Sequence, residues 1–448
     1  MIASEVLFSQ LEDRIDAGFY ATKIHIEERL KTKALNFEPL ETLCDFPKAK
    51  TPPQNGYTGS GIPVLKLKNI TDYFIDWSEV SFVPERLYSN LFQPKEGDLL
   101  ITATGEGTIG RVNIFDEDEK CIVTGEVMIV RPNPQKVNPY FLLTYLRCEY
   151  GKPQLIRFVR GATGQTHLYS KDVKQILAPL PSKSFQEHIE KLVKEAYEKK
   201  KLANLNYNEA EQLLYKELGI EKLELTKEKI FETTFSDVKK TMRFDPECYK
   251  LEYIECERVL KNINAVPLSS VASPSKDRFN PNNAPTQYFS YIDINSVDTR
   301  TGEVELQKIR FYEAPTRARK KVELGDVIVS TVRPNRNAVA IIDEILDRCV
   351  CSTGFSVIKP EKINPYCLFL FLKTEYAINQ LVKKTTASMY PAVSEGDIFN
   401  LLVPIPSEVV QMDIEKVIRE SFKIRKEARS LLDQAKTEVE ELIEGNRR

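Results

Sequence analysis

The chain has 448 residues, room for two to four domains at about 150 residues each, and its 63 Lys+Arg and 65 Asp+Glu leave a formal net charge of −2. A composition 42% hydrophobic and 29% charged is that of a globular chain with real cores, and 18 Gly and 25 Pro are too few for fibrous or low-complexity classes. The longest apolar runs, such as Tyr366–Leu372, fall far short of the roughly 18 residues of a membrane span, and the acidic start MIASEVLFSQLEDRID is unlike a signal peptide, so a cytoplasmic protein is expected.

Taken in chain order, the first half opens on Phe8-Ser9 and Arg14-Ile-Asp-Ala-Gly-Phe-Tyr20. Pro63-Val-Leu-Lys-Leu-Lys-Asn-Ile70 alternates at period two and predicts a half-buried strand. Gly97-Asp98 predicts a turn into a strand over Asp98–Thr102, and Thr124-Gly-Glu-Val-Met-Ile-Val-Arg-Pro132 another extended segment. Asn138-Pro-Tyr140 places an Asn cap and a first-turn Pro at the head of a helix over Pro139–Leu146. After Leu180-Pro181 a long helix without internal Gly or Pro begins near Gln186.

The series then recurs in order, 225 to 229 residues later. Phe235-Ser236 and Arg243-Phe-Asp-Pro-Glu-Cys-Tyr249 open it, and Phe289-Ser-Tyr-Ile-Asp-Ile-Asn295 alternates like the first strand. Gly325-Asp326 leads a strand over Asp326–Thr331, Thr353–Pro360 follows, and Asn364-Pro-Tyr366 heads a helix over Pro365–Leu372. Ile405-Pro406 and Gln411 enter a second long helix. Such a period is too long for a solenoid and implies two copies of one domain plus its tail. Residues 49–95 and 271–322 share little, so a common frame carries two different faces.

The long helices keep 3–4 spacing, Ile189, Leu192, Ala196, Lys199, Ala203, Asn206, Ala210 and Leu213 in the first, and Ile414, Val417, Ser421, Ile424, Ala428, Leu431, Ala435, Glu438 and Leu442 in the second. That seam predicts two helices packed on each other as an antiparallel coiled coil, the small Ala residues allowing close approach and the polar positions setting register. The expected fold is therefore α+β: two repeated mixed α/β domains at 1–181 and 221–406, with spacer helices at 182–220 and 407–448, arranged with pseudo-two-fold symmetry.

Catalytic chemistry finds no foothold. The eight cysteines form no CxxC, Cys349 and Cys351 are too close for a metal knuckle, and His25, His167 and His188 stand far apart, so reduced thiols and no metal are expected. Gly105 to Gly110 lacks the Gly-Lys-Ser/Thr of a phosphate loop, and Asn138-Pro-Tyr140 and Asn364-Pro-Tyr366 have a single Pro, which suits caps and not a methyltransferase motif.

The duplicated series, Arg-x-Asp-x-x-x-Tyr, strand, Gly-Asp strand, Asn-Pro-Tyr helix, Pro exit and Gln-x-x-Ile heptad helix, resembles the specificity subunit of Type I DNA restriction–modification systems over essentially the whole chain. The resemblance implies two target-recognition domains, each reading one half of a bipartite DNA sequence. It also implies helices that serve as a ruler and as docking surface for two methyltransferase subunits, with restriction–translocase subunits joining later. The chain itself would be non-catalytic and cofactor-free, with S-adenosylmethionine, ATP and Mg2+ in the partner subunits. Alternatives are a coiled-coil interaction scaffold that reads no DNA, or a recognition subunit of another phage-defence complex.

DNA binding requires local positive charge, and two windows supply it. Residues 152–174 hold five bases against one acid and residues 305–336 hold eight against four, each a net +4. Candidate DNA-binding residues in the first copy are Lys66, Lys68, Asn69, Thr104, Arg111, Arg157, Arg160, Thr163, Gln165, His167, Tyr169 and Lys171. In the second they are Arg317, Arg319, Lys320, Lys321, Arg333, Asn335, Arg336, Asn337, Ser388 and Tyr390. Arg suits guanine, and Asn or Gln suits adenine, in the major groove.

Overall fold

The computed structural model describes residues 17–31, 35–77, 80–105, 107–117, 119–161, 166–220, 232–280, 287–385 and 390–445. Two compact units emerge, one of residues 1–201 with 424–448, the other of residues 202–423. Each long helix contributes to both, the first spanning Lys183–Leu218 and the second Glu408–Glu444.

Each unit is built in layers around a four-stranded antiparallel sheet. In the first unit the order is Cys44–Asp45, Val127–Pro132, Leu99–Thr102, Val112–Ile114. In the second it is Ala272–Pro274, Phe355–Pro360, Val327–Ser330, Val339–Ile341, the same order in the same sequence positions. Leu99–Thr102 and Val327–Ser330 are buried along their whole length because both faces of the sheet are covered. Leu99 and Ile101 pack with the helix Pro139–Arg147, while Leu100 joins Leu65, Ile70 and Val123 beneath a smaller sheet. Val327 and Val329 repeat the first arrangement and Ile328 the second.

The smaller sheets differ. The first has three strands, Ser81–Val83, Ile62–Leu65 and Ile122–Val123, the last two parallel. The second adds a fourth, Ala318–Lys321, on the edge beside Val350–Ser352. The strand expected over Pro63–Ile70 stops at Leu65, and that expected over Phe289–Asn295 stops at Ile292. In each case a capping box starts a 3-10 turn, with Asn69 closing on Lys66 and Ser296 on Asp293. A strand pattern ends early when a side chain satisfies the backbone locally.

The repeated motifs touch one another. Asn138 Oδ1 accepts from the amides of Tyr140 (2.9 Å) and Phe141 (3.2 Å), which is the expected cap. The cap residue is in turn fastened to the long helix: its amide donates to Gln186 Oε1 (2.8 Å) and its Nδ2 to Glu190 Oε2 (2.6 Å). Asn364 repeats this with Gln411 (2.7 Å) and Glu415 (2.5 Å). Asp98 and Asp326 accept from the amides three residues earlier, Lys95 and Glu323 (both 2.9 Å), forming the Gly-Asp turn. Gly97 and Gly325, at φ +86° and +87°, sit against Pro139 and Pro365. The Arg-x-Asp-x-x-x-Tyr motif closes a helix end. Arg243 pairs with Asp245 (2.6 Å) and donates to the carbonyls of Lys383 (2.6 Å) and Thr385 (3.0 Å), at the C-terminus of Glu375–Lys384. Its first-copy counterparts, Arg14 and Asp16, lie outside the described residues.

Within each unit the long helices run antiparallel. His188 meets Glu438 (2.8 Å) and Lys199 meets Glu427 (2.7 Å) in the first. In the second, Ser421 Oγ donates to the Ala203 carbonyl (2.7 Å) and the Ser407 amide to Glu217 (3.0 Å). Of the expected seam, Ile189, Leu192, Ala196, Ala203, Ala210, Ile414, Ile424, Ala428 and Ala435 are buried, while Leu213, Val417, Leu431 and Leu442 are only half-buried. Val193, Tyr197, Ile418, Leu432, Val439 and Ile443 are buried beside them. The buried stripe is wider than a two-helix seam because each helix also covers a domain core, as does Ile189 with Phe141 and Ile414 with Phe369. All eight cysteines are buried free thiols, and no helix among the described residues is long and apolar enough to cross a membrane.

Candidate nucleic-acid interface

In each unit the chain leaving the central Gly-Asp strand meets a second loop from the other side of the domain. In the first unit the Leu168 amide donates to the Ala103 carbonyl (2.8 Å), and His167 pairs with both Thr104 and Arg160. In the second the Val393 amide donates to the Thr331 carbonyl (2.9 Å), and Val332 pairs with Ala392. The backbone junction is shared and the side chains on it are not.

The first junction exposes His167 and Tyr169, whose rings stack with centroids 6.1 Å apart. The second carries Arg333, whose guanidinium lies 4.9 Å from the centre of the exposed Tyr390 ring, with exposed Asn335 and Arg336 beside it. Arg333 (φ +49°) and Asn337 (φ +57°) both hold the left-handed conformation, which costs a non-glycine residue about 1–2 kcal/mol. Asn tolerates it; for Arg the surroundings must impose it, and the Arg333 amide is bound to the Pro391 carbonyl at 2.7 Å. A guanidinium stacked on a ring retains edge donors suited to the O6/N7 pair of guanine.

The remaining candidates divide by what already holds them. Asn69 is buried, with Oδ1 accepting from Lys66 and Nδ2 donating to the Asp76 carbonyl (2.8 Å). Lys66 lies over the Tyr57 ring (4.0 Å), and Arg111 stands 3.8 Å from Asp72. Arg157 rests on Phe158 (4.6 Å) and Phe19 (5.7 Å). Arg160 pairs with nearly buried Asp172 at 3.1 Å. Lys320 is mostly buried, donating to the Phe355 carbonyl (2.8 Å) beside Glu395 (3.4 Å). Lys68, Lys171, Arg317 and Lys321 are exposed and Arg319 is half-buried. Thr163, Gln165 and Ser388 lie outside the described residues.

One exposed constellation escaped the sequence reading. Arg310 donates to the hydroxyls of Tyr288 (2.5 Å) and Tyr312 (2.7 Å), and both rings are more than half exposed. Its signal in sequence was only one more base in the 305–336 window, since the partners come from a neighbouring strand and a following turn.

Residues 37–212 match the family described as the Type I restriction modification DNA specificity domain. Over those residues the chain is similar to the Type I specificity domain. A putative type I restriction enzyme MjaX specificity subunit from Methanocaldococcus jannaschii is 21% identical over 391 residues, 86% of each chain. The HindI specificity subunit of Haemophilus influenzae is 29% identical over 136 residues, 28% of this chain and 29% of its own. Among solved structures, the S subunit of M. genitalium overlaps 92% of this chain and 96% of its own at 12% identity and a TM-score of 0.44. The HsdS subunit of Thermoanaerobacter tengcongensis overlaps 92% and 94% at 16% identity and a TM-score of 0.28. The matched region runs from the first globular domain into the helix Lys183–Leu218.

Proposed function

We propose that the chain is the DNA-specificity subunit of a cytoplasmic Type I restriction–modification complex, each unit reading one half of a bipartite duplex target. The observation that carries this reading is the repeated junction: Leu168 to Ala103 and Val393 to Thr331 make the same backbone bond, yet one presents His167 and Tyr169 and the other Arg333, Asn335, Arg336 and Tyr390. Two different half-sites require a common frame with different readers. The helices dock two methyltransferase subunits, with restriction–translocase subunits joining them. Methyl transfer, ATP hydrolysis and cleavage belong to those partners with their S-adenosylmethionine, ATP and Mg2+, and the chain supplies sequence choice.

The test is methylation mapping by the full chain assembled with a Type I methyltransferase subunit. Methylated sites should be bipartite, and Arg333→Ala should relax one half only, by about 1–3 kcal/mol of discrimination. Sites without two separable halves, or a relaxation that spreads across both, refute the assignment. Methyl transfer by the purified chain alone refutes its non-catalytic role.

A further inference from the structure

Each unit holds a cation at the end of its Asn-Pro-Tyr helix, half-buried in the first and buried in the second. In the first it is Arg147, whose Nε donates to the Val112 carbonyl (2.9 Å) and Nη2 to the Tyr73 carbonyl (3.2 Å). In the second it is Lys373, whose Nζ donates to the carbonyls of Thr299 (2.9 Å) and Asn337 (3.3 Å). Arg147 and Lys373 are 226 residues apart, as are Tyr73 and Thr299, so the contact to the small-sheet turn is the same in both copies. The other contact reaches the central hairpin, at Val112 in one and at the end of the left-handed turn Arg333–Asn337 in the other. Asn337 returns the contact, its Nδ2 donating to the Lys373 carbonyl at 2.9 Å.

We propose that Lys373 is a positioning residue for the second recognition domain, tying the small-sheet turn at Thr299 to the turn that carries Arg333, Asn335 and Arg336, and that Arg147 does the equivalent in the first. The inference rests on the proposed function for its readout. Its physical basis is local. The turn between Arg333 and Asn337 is strained at both ends, and such a conformation persists only where partners over-determine it. The Pro391 carbonyl holds one end and Lys373 holds the other. Without Lys373 the Thr299 carbonyl loses its donor and the Asn337 carbonyl keeps only the Val339 amide (2.9 Å), so the turn can relax, carrying its side chains away from the positions at which they meet a base.

The exchange of Arg for Lys makes the second clamp titratable. Burial drives the Lys373 amine down to about 7, against the attraction of Asp298 on the adjoining turn and Glu211 on the first long helix, while Arg300 on that turn adds to the lowering. Below that pH the amine is charged and grips both carbonyls as an ammonium; above it one donor and the charge are lost. A guanidinium in the same place keeps its charge across this range.

The experiment selects a duplex pool randomised over both half-sites with the full-length chain, its methyltransferase partner present, at pH 6.0 and 8.5, for the wild type, Lys373→Met and Lys373→Arg. Lys373→Met should lose roughly ten-fold of preference at the second half-site, the size of one good base contact, and keep its preference at the first. Wild-type preference at the second half-site should weaken at pH 8.5, and Lys373→Arg should restore it and remove the pH dependence. Amide exchange at Arg333, Arg336 and Asn337, free of DNA, should quicken in Lys373→Met and return in Lys373→Arg. Unchanged second-half preference in Lys373→Met, equal losses at both halves, or a pH-independent wild type overturns the inference. Should Lys373→Met fail to fold, the wild-type pH profile against Lys373→Arg decides alone. A wild type with no sequence preference at all refutes the proposed function, and the inference with it, and is distinguished from these outcomes by that absence.

Discussion

The bond between each helix cap and the long helix behind it can be measured by substituting Asn364. Replacement by Ala removes the acceptor for the Tyr366 amide at 2.9 Å, the loss of an N-cap, at about 1 kcal/mol. It also removes the donor to Glu415 Oε2 at 2.5 Å. Glu415 keeps Arg419 at 2.7 Å and is about 30% exposed, so this second loss adds about 1 kcal/mol, below the usual range for a fully buried charged bond. A total of about 2 kcal/mol in a unit spanning residues 202–423 lowers its transition by about 4–8 °C in calorimetry of the full chain. Asn364→Ser, which keeps the cap and loses the bridge, should lie halfway. Asn364→Asp keeps the cap but sets one carboxylate against another, so it should be no more stable than Asn364→Ala at pH 7 and should recover when Glu415→Gln is added. A stable Asn364→Asp, or no recovery in the double variant, would falsify the bridge as the source of the second kilocalorie. Asn138 with Glu190 should reproduce the series in the other unit.

Three further outcomes are expected. Burial raises the Asp326 carboxyl to about 6 while Glu323 holds it with an amide bond. A folded value above the unfolded one stabilises fully below about pH 4 and is lost as pH rises through 6. The wild type should therefore gain up to about 3 kcal/mol on Asp326→Asn between pH 8 and pH 4 in paired denaturant titrations, and a constant difference sinks the argument. Lys321→Ala should weaken binding about equally on all duplexes and flatten the salt slope, whereas Lys320→Ala should chiefly lower the melting temperature; identical behaviour of the two defeats the distinction. Matched seven-residue insertions after Lys201 and Lys423 add about 10 Å to each helix and keep the seam in phase. If the helices set the unread gap, methylation mapping should show it longer by about three base pairs with both half-sites intact, and an unchanged gap rules out the ruler.

The duplication, the caps and the two long helices could be read from the sequence because each is written in local spacing: Asn-Pro-Tyr, Gly-Asp and the 3–4 repeat. What those motifs touch could not. Nothing near Asn138 announces Glu190, and the motif at Arg243 gives no sign of its target until the end of Glu375–Lys384 is folded against it. The same limit governs the candidate interface. Charge counts treat Lys320 and Lys321 alike, yet the edge strand turns one inward to the Phe355 carbonyl and leaves the other exposed. Nothing in the sequence marks Arg147 or Lys373, because the carbonyls they meet come from chain some 35 and 75 residues away.

The composition of the first unit has a consequence in time. Ala428, Leu432, Ala435, Val439 and Ile443 complete the core that begins with Phe19, Leu40 and Leu99. During synthesis the second unit has all its strands and both its helix segments once residue 423 has emerged, while the first still lacks one wall. The half of the protein made first therefore closes last. Until then its apolar face along Ile189, Val193 and Ala196 stands open, and a ribosome stalled near residue 423 would release a chain with one finished domain and one in need of a chaperone.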